Sequence, residues 1–114
     1  MPRPVAALTD HGPDLASTFA RCLGRYSAQI EDAWYAQGAD ITAQERRHLF
    51  TRLFESVRQD ATTPPEQLLH LQIEAKFAQA RLLTIARFHD DPGRKTAAMA
   101  QARLALRPCD ALVF

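Results

Sequence analysis

Residues 66–88 read EQLLHLQIEAKFAQARLLTIARF, and their apolar side chains fall on no single helical face. At 100° per residue, Leu68, Leu71, Ala75, Ala78, Leu82, Ile85 and Ala86 form one stripe. Leu69, Ile73, Phe77, Ala80 and Phe88 form a second. Polar stripes separate them, with His70, Glu74 and Arg81 on one side and Gln72, Lys76, Gln79 and Arg87 on the other. A helix apolar on two sides is either enclosed in a bundle or lies between its own core and another chain. The bulky Leu69, Ile73, Phe77 and Phe88 match the aromatic stripe of Phe50 and Phe54, so they are expected in the core. The stripe of Leu68, Leu71, Ala75, Ala78, Leu82 and Ile85 contains alanines that admit a close neighbour. It is expected to be the partner interface.

The rest of the chain is helical around this segment. Upstream, Leu15, Phe19, Cys22, Leu23, Tyr26, Ile30, Ala33 and Trp34 recur every three or four positions, predicting a first helix with Asp14 at its positive end and Gly38 as terminator. Gly24 inside that helix weakens it, which close approach of a neighbouring backbone would explain. Thr42-Ala-Gln-Glu45 has the spacing of a capping box, opening a second helix with the stripe Leu49, Phe50, Leu53, Phe54 and Val57. The turn ATTPP ends it, and Thr63 with Pro64 at the first helical position opens the third, which runs to about His89. After His89-Asp-Asp-Pro-Gly93, Asp91 can cap an Ala-rich fourth helix through about Arg107, stopped by Pro108. The apolar tail from Cys109 must pack back or meet a partner. No strand alternation or repeat interrupts this pattern. The expectation is an all-α, compact bundle of about four helices built around one long central helix. Residues 1–12 are expected to be a flexible arm and residues 13–114 a single domain.

Composition narrows the function. The 114 residues carry 14 basic and 13 acidic side chains, a formal net charge of +1. That is no footprint for nucleic acid, which calls for a basic excess gathered on one face. The N-terminal VAAL run is far short of a signal-peptide core, and no charge-free stretch reaches membrane-spanning length. A cytoplasmic protein is the expectation, with Cys22 and Cys109 as reduced thiols, Cys22 in the core, and a bridge between them the lesser alternative.

The motifs that could carry chemistry are sparse. Glu45-x-x-His48 has di-iron ligand spacing, but a di-iron bundle needs two such pairs and two further Glu. This pair lies opposite the Leu49/Leu53 stripe and reads as solvated surface. His70 and Glu74 likewise read as a side-chain pair. Neither cysteine has the close neighbour a zinc site wants. Ser17, Ser27 and Ser56 all sit mid-helix, and the four glycines form no phosphate loop. The second helix, turn and third helix are too long and too proline-rich for helix-turn-helix DNA reading. No enzyme, metal or cofactor is expected.

What remains is an interaction protein working through helical surfaces, large apolar residues bordered by Arg being the usual makings of an interface. In size, all-helical layout, Arg/Ala/Leu-rich composition and the 64–88 helix, the chain resembles the small helical antiactivators of bacterial quorum sensing that bind LasR, a LuxR-type transcription factor. The resemblance carries over no site residues. It implies a stoichiometric inhibitor that binds the regulator's ligand-binding domain and blocks its dimerisation and DNA binding. A homodimer is expected, with no direct contact to nucleic acid or membrane. The rival reading is a self-assembling helical domain or a small chaperone for a secretion substrate.

Overall fold

The computed structural model describes residues 14–36 and 38–113. It is an all-α bundle of four helices: α1 (Leu15–Tyr35), α2 (Ile41–Val57), α3 (Pro65–Phe88) and α4 (Pro92–Val113), with a single 3-10 turn at Arg58–Asp60. The expected N-terminal arm lies outside the described residues. None of the helices is long and apolar enough to cross a membrane.

The central position belongs to α1, because its residues are buried on nearly all sides. Phe19, Cys22, Leu23, Tyr26 and Ile30 face α2 and the end of α4, and with Ala43, Phe50 and Cys109 they make the main core. Phe50 is fully enclosed between Tyr26 and Phe19, with ring centroids 5.7 and 5.8 Å away. Ala20, Gly24 and Ala28, four residues apart, are buried on another face of α1. These small residues let α3 approach closely. A Cβ at Gly24 would overlap the Gln72 carbonyl and stand 2.9 Å from the Lys76 amide nitrogen, so only glycine fits. The expected backbone contact at Gly24 is thus present, and its neighbour is α3.

That contact goes with a different core face of α3 from the one expected. Leu68 is 3% exposed, and Leu71, Ala75, Leu82 and Ile85 are half-buried against the chain's own helices; Ala78 alone of that set is exposed. Leu69, Ile73, Phe77 and Phe88, expected in the core, face solvent, with Phe77 66% exposed. The physical reason is size. A close helix pair selects small and hydrogen-bonding side chains at its seam, and the stripe read as polar surface turns out to supply them. Gln79 is 1% exposed; its amide donates to the Gln29 side chain at 2.8 Å and to the Ala102 carbonyl at 3.0 Å, tying α1, α3 and α4 together. Ser17 meets Thr63 near the start of both helices and Arg87 meets Asp32 at 2.8 Å near their ends, so α1 and α3 run parallel; Lys76 meets Glu31 at 2.7 Å between them.

The helix ends show three further differences. The N-cap of α2 is Asp40, whose carboxylate accepts from the Ala43 amide at 2.9 Å, rather than Thr42. Pro64 precedes α3 without a side-chain cap, and the first helical residue is Pro65. The Thr63 hydroxyl instead donates to Asp14 at 2.8 Å. Asp91 does cap the start of α4, accepting from the Arg94 amide at 3.0 Å. That helix continues through Pro108 to Val113. Proline inside a helix costs about 3 kcal/mol, and tertiary contacts hold the last turn in place against it. Cys109 is disulfide-bonded to Cys22, with Cα atoms 5.7 Å apart, correcting the expectation of two reduced thiols. Cys22 is buried as expected. Trp34, the last residue of the apolar periodicity of α1, is 60% exposed.

Candidate functional site

Two clusters and one groove concentrate the chemistry of the surface. The first cluster surrounds Asp14, the N-cap of α1. Its Oδ1 accepts from the amide and hydroxyl of Ser17 at 2.9 and 2.8 Å, and its Oδ2 from Thr62, the Thr63 amide and the Thr63 hydroxyl, each at 2.8 Å. Burial pushes this carboxyl up, but the bonds from Thr63, Ser17 and Thr62 outweigh it and hold it well below the ordinary carboxylate range. A carboxylate so saturated with donors is a clamp between α1 and the turn before α3. It has no lone pair to spare as a general base for Ser17.

The second cluster joins α4 to α1 and α2. The Tyr26 hydroxyl donates to Asp110, which also pairs with Arg46 at 2.8 Å. Burial and then the Asp110 bond push the Tyr26 phenol well above its ordinary value, so it stays a proton donor throughout the working pH range. The Arg25 guanidinium lies 3.7 Å from the Cys109 sulfur. Both groups flank the disulfide and fix the end of α4.

The groove lies between α2 and α3. Each packs along α1, but they meet each other at most glancingly, and the space between them is open. Two adjoining cavities of about 920 and 800 Å³ occupy it. Its floor is Leu23, Ser27 and Ile30 of α1; Phe54 and Thr51 of α2 face Leu69 and Ile73 of α3 across it. Arg47 stands at its middle, lining both cavities and donating to the Ser27 hydroxyl at 2.9 Å. Arg58 pairs with Glu55 at one end and Lys76 with Glu31 toward the other. Trp34 closes that end with its ring largely exposed. The arrangement is an open groove of mixed polar and apolar lining, with Arg47 and Arg58 among the residues along it.

Of the expected interface residues, only Leu68 lines this groove; Leu71, Ala75, Ala78, Leu82 and Ile85 do not. The residues that line it were read as core, as in Leu69 and Ile73, or as solvated surface, as in His48. The splaying of α2 from α3 has one legible signal, the rigid ATTPP turn between them. Glu45 and His48 are exposed on α2, and His70 pairs with Glu74 at 3.2 Å on the outer face of α3. Among the described residues no group of three His, Cys, Asp or Glu is placed to hold a metal ion. Comparison with known proteins returned no match among family models, curated proteins or solved structures.

Proposed function

We propose that the chain is a protein–protein interaction module, a non-enzymatic stoichiometric inhibitor of a transcriptional regulator. The observation that supports this reading is the groove between α2 and α3. Its mixed lining, with Phe54, Leu69 and Ile73 bordered by Arg47 and Arg58, suits an amphipathic helix, recognised through anchors three and four residues apart. On this reading the partner is the ligand-binding domain of a LuxR-type transcription factor, captured through a helix it needs for its own dimerisation. The regulator is then kept from its operator, and the protein acts as a quorum-sensing antiactivator, a homodimer in the cytoplasm. The test mixes the purified protein with a LuxR-type ligand-binding domain and follows complex mass and operator binding together. A stoichiometric complex that abolishes operator binding, and that is lost on changing Thr51→Arg and Leu69→Glu at the groove edge, supports the proposal. Absence of a complex at micromolar concentrations overturns it.

One observation favours a second reading. A fully buried disulfide belongs with proteins that work in an oxidising compartment. There the chain would be a self-assembling helical domain rather than a regulator's inhibitor. Thiol titration of protein taken directly from its native cell separates the two: two free thiols favour the antiactivator, none the self-assembling domain.

A further inference from the structure

The exposed face of α3 carries a self-complementary pattern. Phe77 stands at its centre, flanked on one edge by Ile73 and Ala80 and on the other by Glu74 and Arg81. Ile73, Phe77, Glu74 and Arg81 are all solvent-exposed, and Glu74 is engaged only by the equally exposed His70. Glu74 and Arg81 lie seven residues apart, two turns or about 10 Å along one edge of the helix. Their midpoint falls between Phe77 and Ala78.

Opposite charges placed symmetrically about an apolar centre are what a twofold helix pair requires, since each patch must complement itself. The geometry points to a second copy of this chain as the occupant of this face, with α3 packed antiparallel on its counterpart. A twofold axis level with residues 77 and 78 sets each Glu74 beside the other copy's Arg81. The two Phe77 rings then meet at the centre, and each Ile73 packs on the other copy's Ala80, large against small. Opposite charges at the edge of such a seam fix its register and orientation. The pairing removes the largest exposed ring of α3 from water. It covers the side of α3 adjoining the groove, including Ile73 of the groove wall. This inference rests on the homodimer of the proposed function and specifies its surface.

Sedimentation of the full-length protein over micromolar to millimolar concentrations tests it. Glu74→Arg and Arg81→Glu each set like charges together twice per dimer, and each is expected to weaken self-association more than about tenfold. The double variant Glu74→Arg/Arg81→Glu is expected to restore it. All three changes lie on exposed positions, and circular dichroism melts confirm that the variants fold. A parent that stays monomeric throughout overturns this inference together with the homodimer. A parent dimer that survives the single changes, or that the double change fails to restore, overturns this surface and leaves the homodimer standing on another.

Discussion

At the scale of single residues, Asp14 and Gly24 do what their types alone can do. Asp14 caps α1 and clamps the 62–63 turn. Replacing it with Ala is expected to cost about 1–2 kcal/mol, the upper range for a lost N-cap, read from thermal unfolding at neutral pH. Its carboxyl is held below the ordinary value of 3.8, so the folded state releases this proton more readily than the unfolded chain does. Its contribution is therefore complete above that value and is lost as pH falls below it toward the folded-state value. The parent's advantage over Asp14→Asn should shrink on acidification below about pH 4, and an advantage unchanged down to pH 2 would contradict this. Gly24 tests the opposite sign. Gly→Ala inside a helix ordinarily gains about 1 kcal/mol. Here the added methyl meets the α3 backbone, so Gly24→Ala should lower the urea midpoint. The need for glycine at position 24 was legible in the sequence; the identity of the approaching helix was not, because nothing local to residue 24 names its neighbour.

At the scale of elements, α3 shows how far periodicity reaches. Its two apolar stripes were legible, as was its length, but which stripe turned inward was decided by α1. Ala20, Gly24 and Ala28 provide a shallow face that lets the α3 backbone at Gln72 and Lys76 approach closely, with Leu83 packed beside Ala28. Two substitutions measure the outcome. Leu68→Ala should cost about 2–5 kcal/mol of stability, as expected for a buried leucine. Phe77→Ala should change monomer stability by less than about 0.5 kcal/mol, since its ring is in water. Denaturant titration at dilute protein compares them directly, and a larger loss at Phe77 would mean that the stripes are oriented the other way. The fourth helix makes the same point from its end. Pro108 is a local stop signal, overridden because Leu106, Cys109 and Asp110 anchor the turn on either side of it.

At the scale of the whole molecule, the Cys22–Cys109 bridge joins the first helix to the last across 87 residues of sequence. Closing so long a loop removes entropy from the unfolded chain, and removing the bridge is expected to cost about 2–5 kcal/mol. The doubly substituted Cys22→Ser/Cys109→Ser protein should melt well below the parent, and reductant should lower the parent toward it. Equal melting with and without reductant would show that the bridge does not contribute in solution. The loss should concentrate at the end of α4, where Tyr26, Arg46 and Arg25 also converge.

By itself the sequence determined that this chain is helical, how many helices it has, roughly where most of them begin and end, and that the third is apolar on two sides. Those properties follow from local periodicity and from proline and glycine breaks, which act over a few residues. Only the tertiary structure decided which face of α3 is inside, that Gln79 is a buried tie and not a surface residue, that the cysteines pair, and that α2 and α3 stand apart over α1. Each of these depends on a contact between helices distant in sequence. A stripe of small residues on one helix can select its complement on another only once the two are brought together.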